Sequence, residues 1–118
     1  MAWIFDSTRA VFIQIAEKIK EDILNGKYPP DSQIPSVRQI AFEASVNPNT
    51  VQKALLSLEA EGLIVTKGTM GKFVSRDQSQ LEDARKERIS NLISSFLKEA
   101  ETLGLDRDAV ISYIKEEK

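Results

Sequence analysis

The sequence predicts a mainly helical α+β fold, in which short helices lead into a β-hairpin and a helical tail follows. Three features carry this. Residues 47–62, Asn-Pro-Asn-Thr-Val-Gln-Lys-Ala-Leu-Leu-Ser-Leu-Glu-Ala-Glu-Gly, hold their own helix start and stop. Ser36-Val-Arg-Gln39 opens another helix so close upstream that only a tight turn fits between the two. From about Gln78 the pattern changes to one long amphipathic run with charges between its apolar positions.

Taken in order, Trp3, Ile4 and Phe5 either pack onto the domain or form a short strand. Asp6, Ser7 or Thr8 is expected to cap a first helix that runs to about Asn25 and closes at Gly26. Phe12, Ile15, Ala16, Ile19 and Ile23 keep helical spacing along it. Tyr28-Pro-Pro-Asp-Ser is a turn, because two prolines forbid a helix there. Ser36 and Gln39 then form a capping box, with Val37, Ile40, Ala41 and Ala44 turned inward. Asn47 caps the following helix, Pro48 suits its first position, and Gly62 ends it in a left-handed conformation. Val51, Ala54, Leu55 and Leu58 form its buried stripe. Leu63-Ile-Val-Thr-Lys67 and Lys72-Phe-Val-Ser75 read as two strands around the turn Gly68–Gly71.

Two short helices joined by so tight a turn make a helix-turn-helix, and a hairpin placed directly after it is a wing. The division expected is therefore a winged helix-turn-helix domain at 1–76 and a helical tail at 77–118. In the tail, Leu81, Ala84, Ile89, Leu92, Ile93, Phe96, Ala100 and Leu103 keep a three/four spacing. Gly104 stops this helix and Asp106 caps a last one, with Val110, Ile111 and Ile114 apolar. A single long hairpin of helices beside so small a head has little to bury its stripe against, so self-association is its expected use. The residues expected at that interface are Leu56, Ile89, Leu92, Ile93, Phe96, Ala100, Leu103, Val110 and Ile114. Leu56 belongs with them because it sits off its helix's core stripe, where packing against the tail would couple head to tail.

Composition narrows the chemistry. With 118 residues, 42% of them hydrophobic and 29% charged, the chain is ordinary globular material for one small domain with an appendage. It has neither cysteine nor histidine, which removes thiolate sites, disulfides and the commonest general base and metal ligand. Glu59, Glu61, Asp77, Glu82 and Asp83 are best read as solvated helix faces, and no metal or cofactor is expected. No nucleophile–base pair or phosphate-cradling loop is present, so catalysis is not expected. The start of the chain has no basic region followed by a long apolar core, and no run is long enough to span a membrane; the expected location is cytoplasmic. The net charge of −2 is unevenly spread. Residues 27–76 carry six Lys/Arg against four Asp/Glu, whereas residues 77–118 carry seven against ten.

The overall charge argues mildly against nucleic acid, while a basic half and an acidic half suggest two jobs rather than one. Asn49, Gln52 and Lys53 face away from the core stripe, as side chains that read base edges would. Ser36 and Asn47 are caps first, but uncovered helix N-termini also receive phosphate. The hairpin tip offers Lys67, Thr69 and Lys72 beside Gly68 and Gly71, which let backbone approach a phosphate closely. The bland reading of each of these residues is a solvated face, and a protein-interaction module on the same fold is the rival function.

Laid out this way, the chain resembles the GntR family of bacterial transcription regulators. The matching stretches are Ile34-Pro-Ser-Val-Arg-Gln-Ile-Ala41, Val46-Asn-Pro-Asn-Thr-Val-Gln-Lys-Ala-Leu55, Leu58-Glu-Ala-Glu-Gly-Leu-Ile64 and Gly71-Lys-Phe-Val74. The short helical tail looks like the YtrA subfamily, known as dimeric repressors, often of ABC-transporter operons. The resemblance implies that Arg38 contacts DNA and that Thr50 touches a backbone phosphate. It departs from fatty-acid-type members at Pro48 and Gln52, where those have arginines, so base readout must differ. Double-stranded DNA and a second copy of the chain are the partners expected, on an inverted-repeat operator. No pattern names a small-molecule effector; a tail of about 40 residues is too small to enclose a metabolite alone. A site between two chains, near Trp3 or Phe96, is where one would fit.

Overall fold

The computed structural model describes residues 3–117; Met1, Ala2 and Lys118, at the ends of the two expected segments, lie outside them. Five α-helices and one two-stranded sheet follow in the order α1 (Val11–Leu24), α2 (Val37–Ala44), α3 (Pro48–Ala60), β1 (Ile64–Thr66), β2 (Lys72–Val74), α4 (Gln78–Glu101) and α5 (Arg107–Glu116). The contacts divide the chain into two compact units, Met1–Glu82 and Asp83–Lys118. This is a winged helix-turn-helix followed by C-terminal helices.

The head is built on α3. Val51, Ala54, Leu55 and Leu58 are wholly buried, against Ile15 and Ile19 of α1 and Ile40, Ala41 and Ala44 of α2. The helix-turn-helix has the expected N-caps, although among the described residues the Gln39 side chain makes no return bond to Ser36, so the capping box is half formed. The Ser36 hydroxyl accepts the Gln39 N–H at 3.1 Å, and the Asn47 side chain accepts the Asn49 N–H at 2.8 Å. Between the helices Ser45 adopts a left-handed conformation (φ 56°), a strained choice for a residue with a Cβ. Gly62 ends α3 with φ 79°, and the Gln80 amide, which donates to the Glu61 carbonyl at 3.0 Å, fills the space a Cβ would need.

The first helix starts differently from expectation. Its N-cap is Ala10, with no side-chain bond. Asp6 is spent on a local turn instead, accepting the Thr8 N–H at 2.8 Å and the Thr8 hydroxyl at 2.6 Å. Those bonds hold the Asp6 carboxyl below its ordinary range. Gln14 reaches back from the first turn and clamps Asp6 on both sides, accepting its N–H and donating to its carbonyl, each at 2.7 Å. Trp3 and Phe5 form no strand; they are half-buried, with ring centroids 6.1 Å apart.

The wing is wider than a two-strand hairpin. β1 and β2 pair antiparallel, Ile64 opposite Val74 and Thr66 opposite Lys72. The Pro-rich segment before α2 runs along the other edge of β2, with Ile34 N–H donating to the Lys72 carbonyl (3.0 Å) and Val74 N–H to the Ser32 carbonyl (2.8 Å). The tip, Gly68–Met70, is a single 3₁₀ turn. Gln33 fixes it by donating to the Met70 carbonyl at 2.6 Å, in space that a Cβ on Gly71 (φ 113°) would invade.

In the tail, the Asp77 carboxylate caps α4 by accepting from Ser79 and Gln80, and Asp106 caps α5 through the Ala109 N–H at 2.8 Å. Ala100 and Val110 are buried between these helices. Leu103 lies in the turn past the end of α4 rather than on the helix.

Candidate nucleic-acid interface

The side of α3 opposite the core carries Asn49, Gln52, Lys53 and Leu56, all exposed. They share it because residues three, four and seven apart return to one face of a helix. Thr50, beside this row, is half-buried, and its N–H is bonded to the Asn47 carbonyl at 3.0 Å. Arg38 stands exposed in the first turn of α2 and makes no ion pair among the described residues. The N-termini of α2 and α3, with Ser36 and Asn47 at their caps, supply backbone N–H groups whose partial positive charge suits an anion.

The lysines are another matter. Sequence position alone offers Lys53 as a base reader and Lys67 and Lys72 as cations for phosphate, and the structure gives each an internal partner. Lys53 Nζ lies 4.1 Å over the Phe12 ring of α1. Lys67 pairs with Asp31 at 2.6 Å and sits 4.4 Å over the Phe73 ring. The Asp31 carboxyl is held below its usual range by that lysine. Lys72 pairs with Glu59 near the end of α3 and bonds the Thr66 hydroxyl at 2.9 Å. Only 15% of its side chain is exposed, so it joins wing to α3 rather than standing out from the tip. Bonds from Lys72 first, and then Thr66, lower the Glu59 pKa. Gly68 and Thr69, with Met70, are what the tip presents to solvent.

The partners of these lysines were not foreseeable from local pattern. Asp31, Glu59 and Phe12 all act from outside the local segment of their lysine, and only a charge in a Pro-rich turn hints at Asp31. Among the described residues no group of acidic side chains could hold a metal ion. Glu61 is paired with Lys20 at 2.7 Å and Asp77 is occupied as a cap. No helix among them is long and apolar enough to cross a membrane.

The tail has its own surface. Leu92, Ile93, Phe96, Val110, Ile111 and Ile114 line an open apolar groove of about 640 Å³ between α4 and α5. Ile89, Leu92, Ile93 and Phe96 are all about half exposed, Phe96 by 54%.

A core-packed helix with a polar outward face, entered through a tight turn and flanked by a wing, defines a helix-turn-helix regulator. Residues 13–74 match the profile of the bacterial regulatory proteins, gntR family. The chain belongs to the GntR family of DNA-binding bacterial regulators, and the relatives it matches over most of its length are transcriptional regulators rather than enzymes. It is 29% identical over 112 residues to the HTH-type transcriptional regulator YhcF of Bacillus subtilis, covering 94% of this chain and 92% of that one. It is 32% identical over 111 residues to the transcriptional repressor YtrA of the same organism, covering 93% and 85%. A GntR family regulator from Listeria monocytogenes superposes with a TM-score of 0.89 at 29% identity, over 97% of this chain and all of the other. The DNA-binding domain of AraR, solved in complex with operator ORX1, is similar with a TM-score of 0.57 at 25% identity, over 64% of this chain and 95% of that one.

Proposed function

We propose that the protein is a cytoplasmic, homodimeric repressor that binds an inverted-repeat operator through its head and pairs through its tail. The observation that carries this is the outward face of α3, polar at Asn49 and Gln52 and backed by a wholly buried stripe. In this reading α3 enters the major groove, where Gln52 addresses adenine bidentately. Arg38 and the capped N-termini of α2 and α3, with Ser36, Asn47 and Thr50, hold the phosphates on either side. Gly68 and Thr69 bring the wing backbone close to the duplex. Lys67 exchanges Asp31 for a phosphate on binding. Lys72 contributes chiefly by holding the wing to α3.

Dimerisation is supported by the exposed row Ile89, Leu92, Ile93 and Phe96, which a lone chain leaves half in water at a cost of about 25 cal/mol per Å². A head of such modest charge gains affinity when two copies are linked, because the second binding event becomes intramolecular. Two-fold symmetry then sets half-sites about one helical turn apart. The similarity to YtrA, a named repressor, favours repression over activation.

Selection of bound duplexes from a random pool at two salt concentrations tests the reading, with Arg38→Ala as control. Enrichment of an inverted repeat that is lost in the control is expected. Recovery of nothing above background at either salt would overturn DNA binding and favour a protein-interaction module on the same fold.

A further inference from the structure

Besides its amides, the outward face of α3 carries one large apolar side chain. Leu56 is 50% exposed. It stands four residues beyond Gln52 and seven beyond Asn49, so the three form one row along the helix. The core of the head does not use it: Val51, Ala54, Leu55 and Leu58 already fill the buried side. Lys53, the remaining neighbour in the row, is drawn aside onto the Phe12 ring. That leaves Asn49, Gln52 and Leu56 as the forward-facing set.

We propose that Leu56 is a specificity-determining residue that packs against the C5 methyl of a thymine in the major groove. The inference rests on the reading of α3 as the DNA-entering helix. The thymine methyl is the one apolar feature that base edges display in that groove, so an apolar side chain among hydrogen-bonding readers selects for it. The reach is adequate. Seven residues of α-helix extend about 10 Å, which matches about three base-pair steps at about 3.4 Å each. A helix lying along the groove therefore sets Leu56 over a different base pair from those that Asn49 and Gln52 address. Cytosine at that position would offer no methyl, and adenine or guanine would present polar edges to a side chain that cannot bond them.

The test uses the full-length protein and the duplex recovered by selection. Each thymine of a half-site is replaced singly by deoxyuridine, which removes the methyl and nothing else. One position is expected where uracil weakens wild-type binding about fourfold, the value of one buried methyl-sized group. Leu56→Ala is expected to bind thymine and uracil duplexes equally there, while Leu56→Met keeps the difference. Alanine and methionine both favour helix, and the site is half exposed, so both variants should fold. The proposal is overturned if no uracil substitution weakens wild-type binding, or if Leu56→Ala retains the full difference. It is equally overturned if Leu56→Ala weakens only self-association, which would place Leu56 against the tail. Failure of the underlying reading shows separately, as a wild-type protein that binds no duplex at all.

Discussion

The Lys72–Glu59 pair gives the sharpest test of how the wing is held. Both side chains are mostly withdrawn from water, 15% and 25% exposed, and the Thr66 hydroxyl bonds both of them. Exposed pairs contribute about 0.2–1 kcal/mol, and breaking a fully buried pair costs about 3–5 kcal/mol. This pair lies between, so Glu59→Gln or Lys72→Gln should cost about 1–2 kcal/mol at neutral pH. For a head of this size that is a drop of about 5–10 °C in Tm. The pH dependence has a definite sign. The folded-state pKa of Glu59 is below the ordinary 4.5. The unfolded chain therefore holds its proton more tightly, and the stabilisation is fully present above that ordinary value. It is lost as pH falls through the folded pKa. Thermal denaturation followed by circular dichroism, on both single variants and the double variant, should show coupling at pH 7 that fades in acid below 4.5. Coupling that is absent at pH 7, or undiminished in acid, would refute the reasoning. A Lys72→Gln variant of unchanged stability whose DNA binding loses about one unit of salt slope would instead make Lys72 a phosphate ligand.

Other outcomes follow from local geometry. Gly62→Ala should lower Tm, because its φ of 79° costs a residue with a Cβ about 1–2 kcal/mol and Gln80 must also move aside. Ser45→Gly should raise Tm by relieving the left-handed strain in the turn (φ 56°), offset in part by the greater freedom of glycine in the unfolded chain. Ile93→Asp puts a carboxylate in the middle of the exposed α4 row. It should shift sedimentation toward the monomer and weaken operator binding, while the head unfolds as before; an unchanged dimer would remove the tail from the interface.

What the sequence made legible is what local chemistry decides. Ser36, Asn47, Pro48 and Gly62 punctuate the helix-turn-helix through bonds and dihedrals spanning a few residues, and all stand where they were expected. Buried stripes on α1, α2 and α3 were equally plain, since each is a simple period of the helix. One local reading failed, and one contact carried no local signal. Asp6 and Thr8 have capping chemistry, yet they satisfy each other in a turn, and Gln14 takes up the backbone they leave. Residues 31–34, between Pro30 and Pro35, carry no strand signal of their own, yet they line the edge of β2, where only alternate N–H groups are needed. The site was legible in its helix and not in its lysines. Which carboxylate or ring receives a long flexible cation depends on chain segments far apart in sequence, as with Lys67 and Asp31 or Lys53 and Phe12.

The most direct measurement is the stoichiometry and footprint of the protein on its selected duplex, by sedimentation of the complex together with hydroxyl-radical cleavage. Two chains per duplex, with protection symmetric about the centre of an inverted repeat and the major groove of each half-site covered, is the result expected. One chain per duplex, or protection without two-fold symmetry, would contradict a dimer that reads its operator through paired α3 helices.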